Sequence, residues 1–536
     1  MRRSATLLFL VMAACTGAPA IDPAPAPAPP RAAGAATAPP PVTVPPIDVS
    51  ALQADLTAFA SDAFLGRLAG TPAARRAAEF IAERLTSAGL EPAGDSGFFQ
   101  RVPLSRQVFA PTTKFLVTSR GRATELKAGV DVVPLLRLGE GVPLPKLSAE
   151  GEIVFAGYAL QSQQLGRDDL GTLDLAGKVV VFVGGAPSNA DSATRARLEA
   201  PEQLGQRMGA ILMRGPAAII IVAAGKLEND FNALASEVLN GSLELGGGEP
   251  EQERALPMVM FARARAGSPL LPAAWPSDDK AQPLGRRLTA RITLGRAEVA
   301  SYNVVAILRG RDPSLAKSYV ALGAHLDHIG VQPPTRGDSI ANGADDDGSG
   351  SMALVSIARA LSAGGDRPRR SLIFVWHTGE EAGMLGSEWF LSHPPRTADT
   401  IVVDSIVAQL NADMIGRNAP DSIMIVGPRA APNSQSRVLG TVVDSVNAAL
   451  ARPFRINREW DSPTHPEQIY FRSDHYSYAK RGIPIVFYTT GLHEDYHKVS
   501  DEVSKIDFDK LARVSDFIMR SALAVANRTE RPRPGR

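Results

Sequence analysis

The sequence predicts an α/β protein: a three-layer α/β sandwich around a mixed, largely parallel sheet, with a β-rich domain inserted into it. From Tyr302 onward, strand-like runs (NVVAIL, YVALGAHLD, SLIFVWHT, IVAQLNADMIG, SIMIVG and IPIVFYTT) alternate with helical ones near 350–363, 434–451 and 507–526. That alternation is the pattern of helices covering a largely parallel sheet. The helical runs space their apolar residues for one buried face: Leu354, Ile357 and Leu361 in the first, Leu511, Val514 and Ile518 in the last. Between 131 and 297 the runs EIVFAGYAL, KVVVFVGG, AAIIIVAAG and LPMVMFARA are separated by polar, Gly-rich or charged stretches without a histidine. This segment reads as the insert, with no chemistry of its own.

The remaining elements follow from the N-terminus. Residues 1–15 join a basic start (Arg2, Arg3) to an apolar core, Ala5 to Ala14, too short to span a bilayer, and end at Cys15, the one cysteine. The segment resembles a bacterial lipoprotein signal, which implies export and a lipid anchor on Cys15. An ordinary signal peptide cut near Ala18 or Ala20, giving a periplasmic or secreted protein, is the alternative. Either way the mature chain has no disulfide and depends on packing and metal. Residues 16–47 are Ala/Pro-rich and read as an extended spacer. Residues 48–130 begin the folded part: VSALQADLTAFASD places Leu52, Leu56 and Phe59 on one helical face. A second helix starts at Thr71 as N-cap with Pro72 in its first position, carries Ala78, Ile81 and Leu85 as its apolar stripe, and stops at Gly89. Residues 298–527 form the α/β domain proper, and 528–536 a basic tail. The formal net charge of +1 gives no sign of a nucleic-acid partner.

All 8 histidines lie at or after residue 325, among carboxylate clusters. Histidine with Asp and Glu, and no usable cysteine, is the ligand palette of a hydrolytic metal site. His325 and Asp327 close a strand and alternate to the same side, so that one can ligate while the other accepts the second ring N–H. In NGADDDGSG three adjacent aspartates repel one another, and a packed fold tolerates them only beside a cation or in full exposure. Glu380 and Glu381 follow a strand and can point different ways, one to metal and one to a water. Asp413 closes an apolar strand and needs a partner or a metal. His493 and His497 share a loop before the last helix, and one of them suffices as a ligand.

The ordered series His-x-Asp, GADDDxSG, GEExGxxGS, LNxDMIGR, SDHxxxxxxGIP and YHxxSDxxxKID resembles the co-catalytic dizinc aminopeptidases, the family of aminopeptidase Y and the secreted bacterial leucyl aminopeptidases. The resemblance covers 302 to about 526 and the helical start at 48–105. Residues 131–297 resemble, more weakly, the protease-associated domain often inserted in such enzymes. Carried over by position, the resemblance implies a zinc exopeptidase-like fold and two Zn2+ ions. His325, Asp346 and Asp413 would hold one, and Asp346, Glu381 and His497 the other, with Asp346 bridging. It further implies Glu380 as general base, Tyr496 as the group that stabilises the tetrahedral intermediate, Asp327 behind His325, and Asp474 and His475 in support of the site. Substrates would be peptides or proteins with a free N-terminus. His328, His377, His393, His465 and His493 receive no role and read as ordinary surface or packing residues.

Three other readings share this fold. A metal-free binding protein is disfavoured by the filled ligand positions. A glutaminyl cyclase-like acyltransferase uses one zinc, and His325 favours two. A carboxypeptidase of the glutamate carboxypeptidase type would carry a long helical domain after the peptidase domain, for which the sequence beyond His497 is expected to be too short.

Overall fold

Helix starts are written into the first folded residues. Asp48 caps α1 (Val49–Phe59) by accepting the Ala51 amide at 3.0 Å. Thr71 caps α2 (Pro72–Ser87) by accepting from Ala74 at 3.3 Å, and Pro72 fills the first turn where no amide partner is needed. Leu52, Leu56 and Phe59 are fully buried, each contributing about 1.5–3 kcal/mol of apolar transfer. The computed structural model describes residues 45–532, apart from 137, 139–141, 172, 226, 229–230, 232–233, 236–237, 239–240, 247–253, 336, 396–400, 429–435 and 463. The expected signal with Cys15, most of the Ala/Pro-rich spacer and residues 533–536 of the tail lie outside the described residues. Among the described residues no helix is long and apolar enough to cross a membrane.

The described chain divides into two compact units. The larger comprises 45–105, 243–246 and 298–532 of the described residues. Its sheet contains β1 (Phe99–Phe109), β2 (Leu294–Leu308), β3 (Tyr319–His325), β4 (Ser371–His377), β5 (Ile406–Ala412), β6 (Ser422–Val426) and β7 (Ile485–Thr489). The spatial order is Ser242–Leu245, β1, β2, β4, β3, β5, β7, β6, Arg455–Asn457. The inner block β4-β3-β5-β7 is parallel, and β2 and β6 flank it antiparallel. β3, β4, β5 and β7 are buried along their whole length, which explains their near-continuous apolar runs. α3 (Gly350–Ala363), α4 (Arg437–Ala448) and α5 (Phe508–Ala526) share one core with α1, α2 and the sheet, while a second core lies around Phe390, Tyr478 and Phe487. The expected α/β sandwich with a mixed, largely parallel sheet is what forms.

The smaller unit departs from expectation at its border and in its make-up. It begins at Arg106 rather than near 131, because Lys114–Ser119 and Arg122–Glu125 pair within its own sheet. It is also not simply β-rich. Ser148–Phe155, Val179–Val183, Ala218–Ala223 and Met258–Arg263 run parallel. Parallel neighbours need crossover connections, and Ser192–Leu198 and Pro201–Leu212 form the one between Val179–Val183 and Ala218–Ala223.

Candidate metal centre

Four strand ends carry the candidate side chains to one edge. β3 ends at His325, β4 just before Glu380 and Glu381, β5 just before Asp413, and β7 ahead of the loop with Tyr496 and His497. The C-terminal edge of a parallel sheet is where open α/β folds assemble sites. Asp346 enters from the segment Ala344–Ser349 that leads into α3. Gly343 sets the approach: its φ is +58°, and a Cβ there would lie 2.3 Å from the Asp346 carbonyl oxygen and 2.5 Å from the His328 ring. No side chain fits.

The three adjacent aspartates, all buried, divide their work. Asp347 turns inward and accepts the amides of His325 (3.0 Å), Gly350 (2.9 Å) and Met414 (3.3 Å), tying three site-bearing segments together. Asp345 accepts the Gly416 amide at 2.7 Å and lies 3.2 Å from His493 Nε2. Asp346 alone faces the other candidates. Its Oδ1 is 3.3 Å from His325 Nε2 and its Oδ2 3.1 Å from His497 Nε2. His325 Nε2 is 3.7 Å from Asp413 and 4.0 Å from Glu380, and His497 Nε2 is 3.1 Å from Glu381. The cluster therefore has two lobes that share one carboxylate.

By distance alone, ligand atoms of His325, Asp347 and Asp413 group together, as do those of His328, Asp346 and Glu381. Hydrogen bonding refines both groups. Asp347 spends its oxygens on three amides, so its place falls to Asp346. His328 Nδ1 is hydrogen-bonded to Glu381 Oε1 at 2.8 Å, while His497 Nε2 faces both Asp346 and Glu381. His328 is thus an orienting partner of Glu381.

A metal fits this donor set. His325 Nε2, Asp346 Oδ2 and Asp413 Oδ1 are buried and make no hydrogen bond among the described atoms. Such atoms are costly in a protein interior unless a proton or a cation serves them. Two imidazoles with several carboxylates suit zinc. The electrostatics agree. Burial opposes the charged form of Asp346, but His325 and His497 outweigh it and hold the carboxyl well below its usual range. Glu381 is likewise held low, chiefly by His497, against its own burial. Glu380 goes the other way. Burial, with Glu381, Asp474 and Asp413 adding repulsion, pushes it well above the usual range despite His325. Two adjacent glutamates thus acquire opposite protonation preferences.

Tyr496 stacks on the His497 ring, with centroids 3.8 Å apart, and its hydroxyl accepts a hydrogen bond from Arg472 Nη2 at 3.0 Å. Burial keeps the phenol neutral by raising its pKa, Arg472 notwithstanding. Asp327 corrects its expectation. His325 Nδ1 pairs with the Asp327 carbonyl oxygen at 3.1 Å, while the carboxylate stands 3.9 Å away and accepts the Glu380 amide at 3.2 Å. Past the strand end, alternation no longer fixes side-chain direction. Asp474 is buried and pushed up to about 7 by burial, with Asp327 and Asp413 adding to it. His475 Nε2 bonds to the Tyr470 carbonyl at 2.9 Å and its ring stacks on Phe487, so it stands behind the cluster.

His328, His493 and Arg472 are partners that sequence reasoning passed over. The repeat of histidine in HLDH was the available signal for His328. Of the two expected readings, surface or packing, complete burial excludes the first, and the bond to Glu381 adds a polar partner to the second.

Residues 303–522 match peptidase family M28. They form a domain of that family. Among curated relatives, the chain is 29% identical to leucine aminopeptidase 1 of Trichophyton rubrum over 246 residues, 44% of this chain and 60% of that protein. It is also 29% identical to leupeptin-inactivating enzyme 1 of Streptomyces exfoliatus, over 40% of this chain and 41% of that one. The chain spans about 60% of the length of the leucine aminopeptidase it matches. The fold is shared with the aminopeptidase from Aneurinibacillus sp. strain AM-1 (TM-score 0.53, 18% identity, 91% of this chain and 95% of that one). It is also shared with BSAP, a zinc aminopeptidase from Bacillus subtilis (TM-score 0.51, 16% identity, 89% and 94%).

Proposed function

We propose that the chain is a zinc-dependent aminopeptidase that removes N-terminal residues from peptides with a free N-terminus. The observation that carries this reading is the two-lobed cluster around Asp346, with Glu380 Oε2 4.0 Å from His325 Nε2. In this reading His325, Asp346 and Asp413 hold one Zn2+ and Asp346, Glu381 and His497 a second. Zinc, when bound, supplies Lewis acidity toward a carbonyl oxygen and lowers the pKa of a water. The protein supplies the rest. Glu380, with a raised proton affinity, accepts a proton at its carboxylate from the attacking water and passes it to the leaving amine. The Tyr496 hydroxyl, kept neutral, is a hydrogen-bond donor for the oxyanion. The names of the relatives, leucine aminopeptidase and leupeptin-inactivating enzyme, support peptide hydrolysis.

Metal analysis and a substrate panel test this. The purified chain should hold zinc, cleave aminoacyl p-nitroanilides and lose activity to chelators. Glu380→Gln should keep its metal and lose turnover. Cleavage restricted to N-blocked peptides would refute the aminopeptidase assignment, and chelator-insensitive turnover would refute the metal role.

Two further assignments belong to the same reading. Residues 131–297 serve as a protease-associated domain, an assignment their weak sequence resemblance supports. Export and lipid attachment at Cys15 are supported by Arg2, Arg3 and the short apolar run before it. Labelling by palmitate that Cys15→Ser abolishes is the expected result, and unchanged labelling would refute it.

A further inference from the structure

The segment Leu65–Arg67 has three successive left-handed residues, with φ of 46°, 65° and 49°. Only glycine adopts this conformation freely, so Leu65 and Arg67 are held there by their surroundings. The middle position has no room for anything but glycine: a Cβ on Gly66 would meet the Ala341 carbonyl oxygen at 2.4 Å and the Gly330 Cα at 2.8 Å. The turn is thus pressed between the stretch after His325 and the stretch before Asp346. It delivers the Arg67 guanidinium into a fully buried position without a carboxylate in hydrogen-bonding contact. Among the described residues its hydrogen bonds go to main-chain carbonyls: Leu326 at 3.0 Å, Asn342 at 2.6 Å, Gly343 at 2.9 Å and Phe59 at 3.3 Å. The Arg67 carbonyl in turn receives the His328 amide at 3.4 Å, and the Gly66 carbonyl that of Gly330 at 3.0 Å.

These acceptors lie on both sides of the candidate centre. Leu326 is between His325 and His328, and Asn342 and Gly343 lead directly to Asp346. A planar guanidinium presents its donors in a fixed fork, so bonding both stretches fixes the distance between them. We propose that Arg67 is a positioning residue for the metal centre: it sets the separation of the His325–His328 stretch from the Asn342–Asp346 stretch and so holds His325 and Asp346 at ligating distance. The proposal rests on reading the cluster as a metal centre. Arg67 touches none of the candidate ligand side chains and acts through the backbone they hang on. Its positive charge also lies within the field of Asp327, Asp346, Asp347 and Asp501, so a buried cation accompanies the carboxylates in the metal-free protein.

The test is zinc affinity by chelator competition on the full chain, alongside thermal unfolding with and without zinc. Arg67→Met should fold, as judged by circular dichroism, and bind zinc at least about tenfold more weakly, the size expected for loss of a supporting partner. Its melting temperature should fall further with zinc than without. Amide hydrogen exchange should speed up at 326–330 and 341–346. Arg67→Lys keeps the charge but offers one nitrogen, and should recover only part of the affinity. Should the Met variant fail to fold, the Lys variant decides alone. An Arg67→Lys chain with wild-type zinc affinity overturns the proposal, as does a folded Arg67→Met chain that loses stability equally with and without zinc. A wild-type chain that takes up no zinc would instead refute the metal reading itself.

Discussion

Replacing His328 with alanine isolates the contribution of a residue that ligates nothing in the proposed centre. His328 Nδ1 lies 2.8 Å from Glu381 Oε1, both residues are buried, and the His328 ring meets the His497 ring edge-on with centroids 5.9 Å apart. Alanine removes the donor and leaves a carboxylate oxygen in the interior with its second oxygen 3.1 Å from His497. A hydrogen bond to a charged group contributes about 1.5–3 kcal/mol. At about 1.4 kcal/mol per factor of ten, the loss should appear as roughly 10- to 100-fold weaker zinc binding, the range seen for residues that orient ligands. Asparagine can place an amide N–H near the lost Nδ1, so His328→Asn should recover a large part. The assay is competition against a chromophoric chelator at fixed pH, with unfolding midpoints recorded in parallel. Zinc affinity of the alanine variant within twofold of wild type would refute the argument. So would an asparagine variant weaker than alanine, since the effect would then come from packing.

Three other outcomes follow from the same geometry. Gly343→Ala combines a φ of +58° with a Cβ 2.3 Å from the Asp346 carbonyl and should cost well over the ~1 kcal/mol of a left-handed alanine; chemical denaturation would show it, and a loss below that figure would mean that the turn yields. Thr71→Ala should cost about 1 kcal/mol by loss of the cap, and the variant also loses the bond its hydroxyl donates to the Leu68 carbonyl at 2.6 Å; chemical denaturation would show it, and an unchanged midpoint would refute the cap. Metal-free stability should fall between about pH 4 and pH 7. Over that window Asp327 and Asp501, both raised to about 6, and Asp474, raised to about 7, lose protons that the folded state holds more tightly than the unfolded one. His325 and His497, both raised, act in the same direction, since their stabilisation is lost as pH rises through their folded values. Zinc should reverse the trend, because ligands bind metal better when deprotonated. Calorimetry with and without chelator checks this, and a metal-free melting temperature that climbs across the window would refute it.

The two sheets were legible because their central strands are buried on both faces, and continuous apolar runs such as SLIFVWH in one and AIIIV in the other reveal that directly. Thr71 with Pro72 marked a helix start because the caps are local chemistry. What escaped depended on direction after an element ends. The sequence gives ADDD as three equivalent acids, and only the kinked path through Asp346 and Asp347 separates one that faces the cluster from two that bind the backbone. Asp327 and His328 follow β3, where alternation has stopped. Arg67, in LGRLAG, reads as one more solvent-facing arginine until the left-handed turn buries it. The border of the smaller unit was missed because Lys114–Ser119 is short, with only Phe115 and Val117 buried, and Arg122–Glu125 is exposed throughout.

The order of strands along the sheet has a bearing on when the centre can exist. β7 is the last strand in the chain, yet it lies between β5 and β6, and the loop after it brings His497. A chain still being made lacks both that central strand and one of the two candidate imidazoles until residue 497 has been added. Every shorter version of the chain ending before Ile485 has a gap in the middle of its sheet. Metal uptake at the proposed centre would accordingly report that the whole domain has closed.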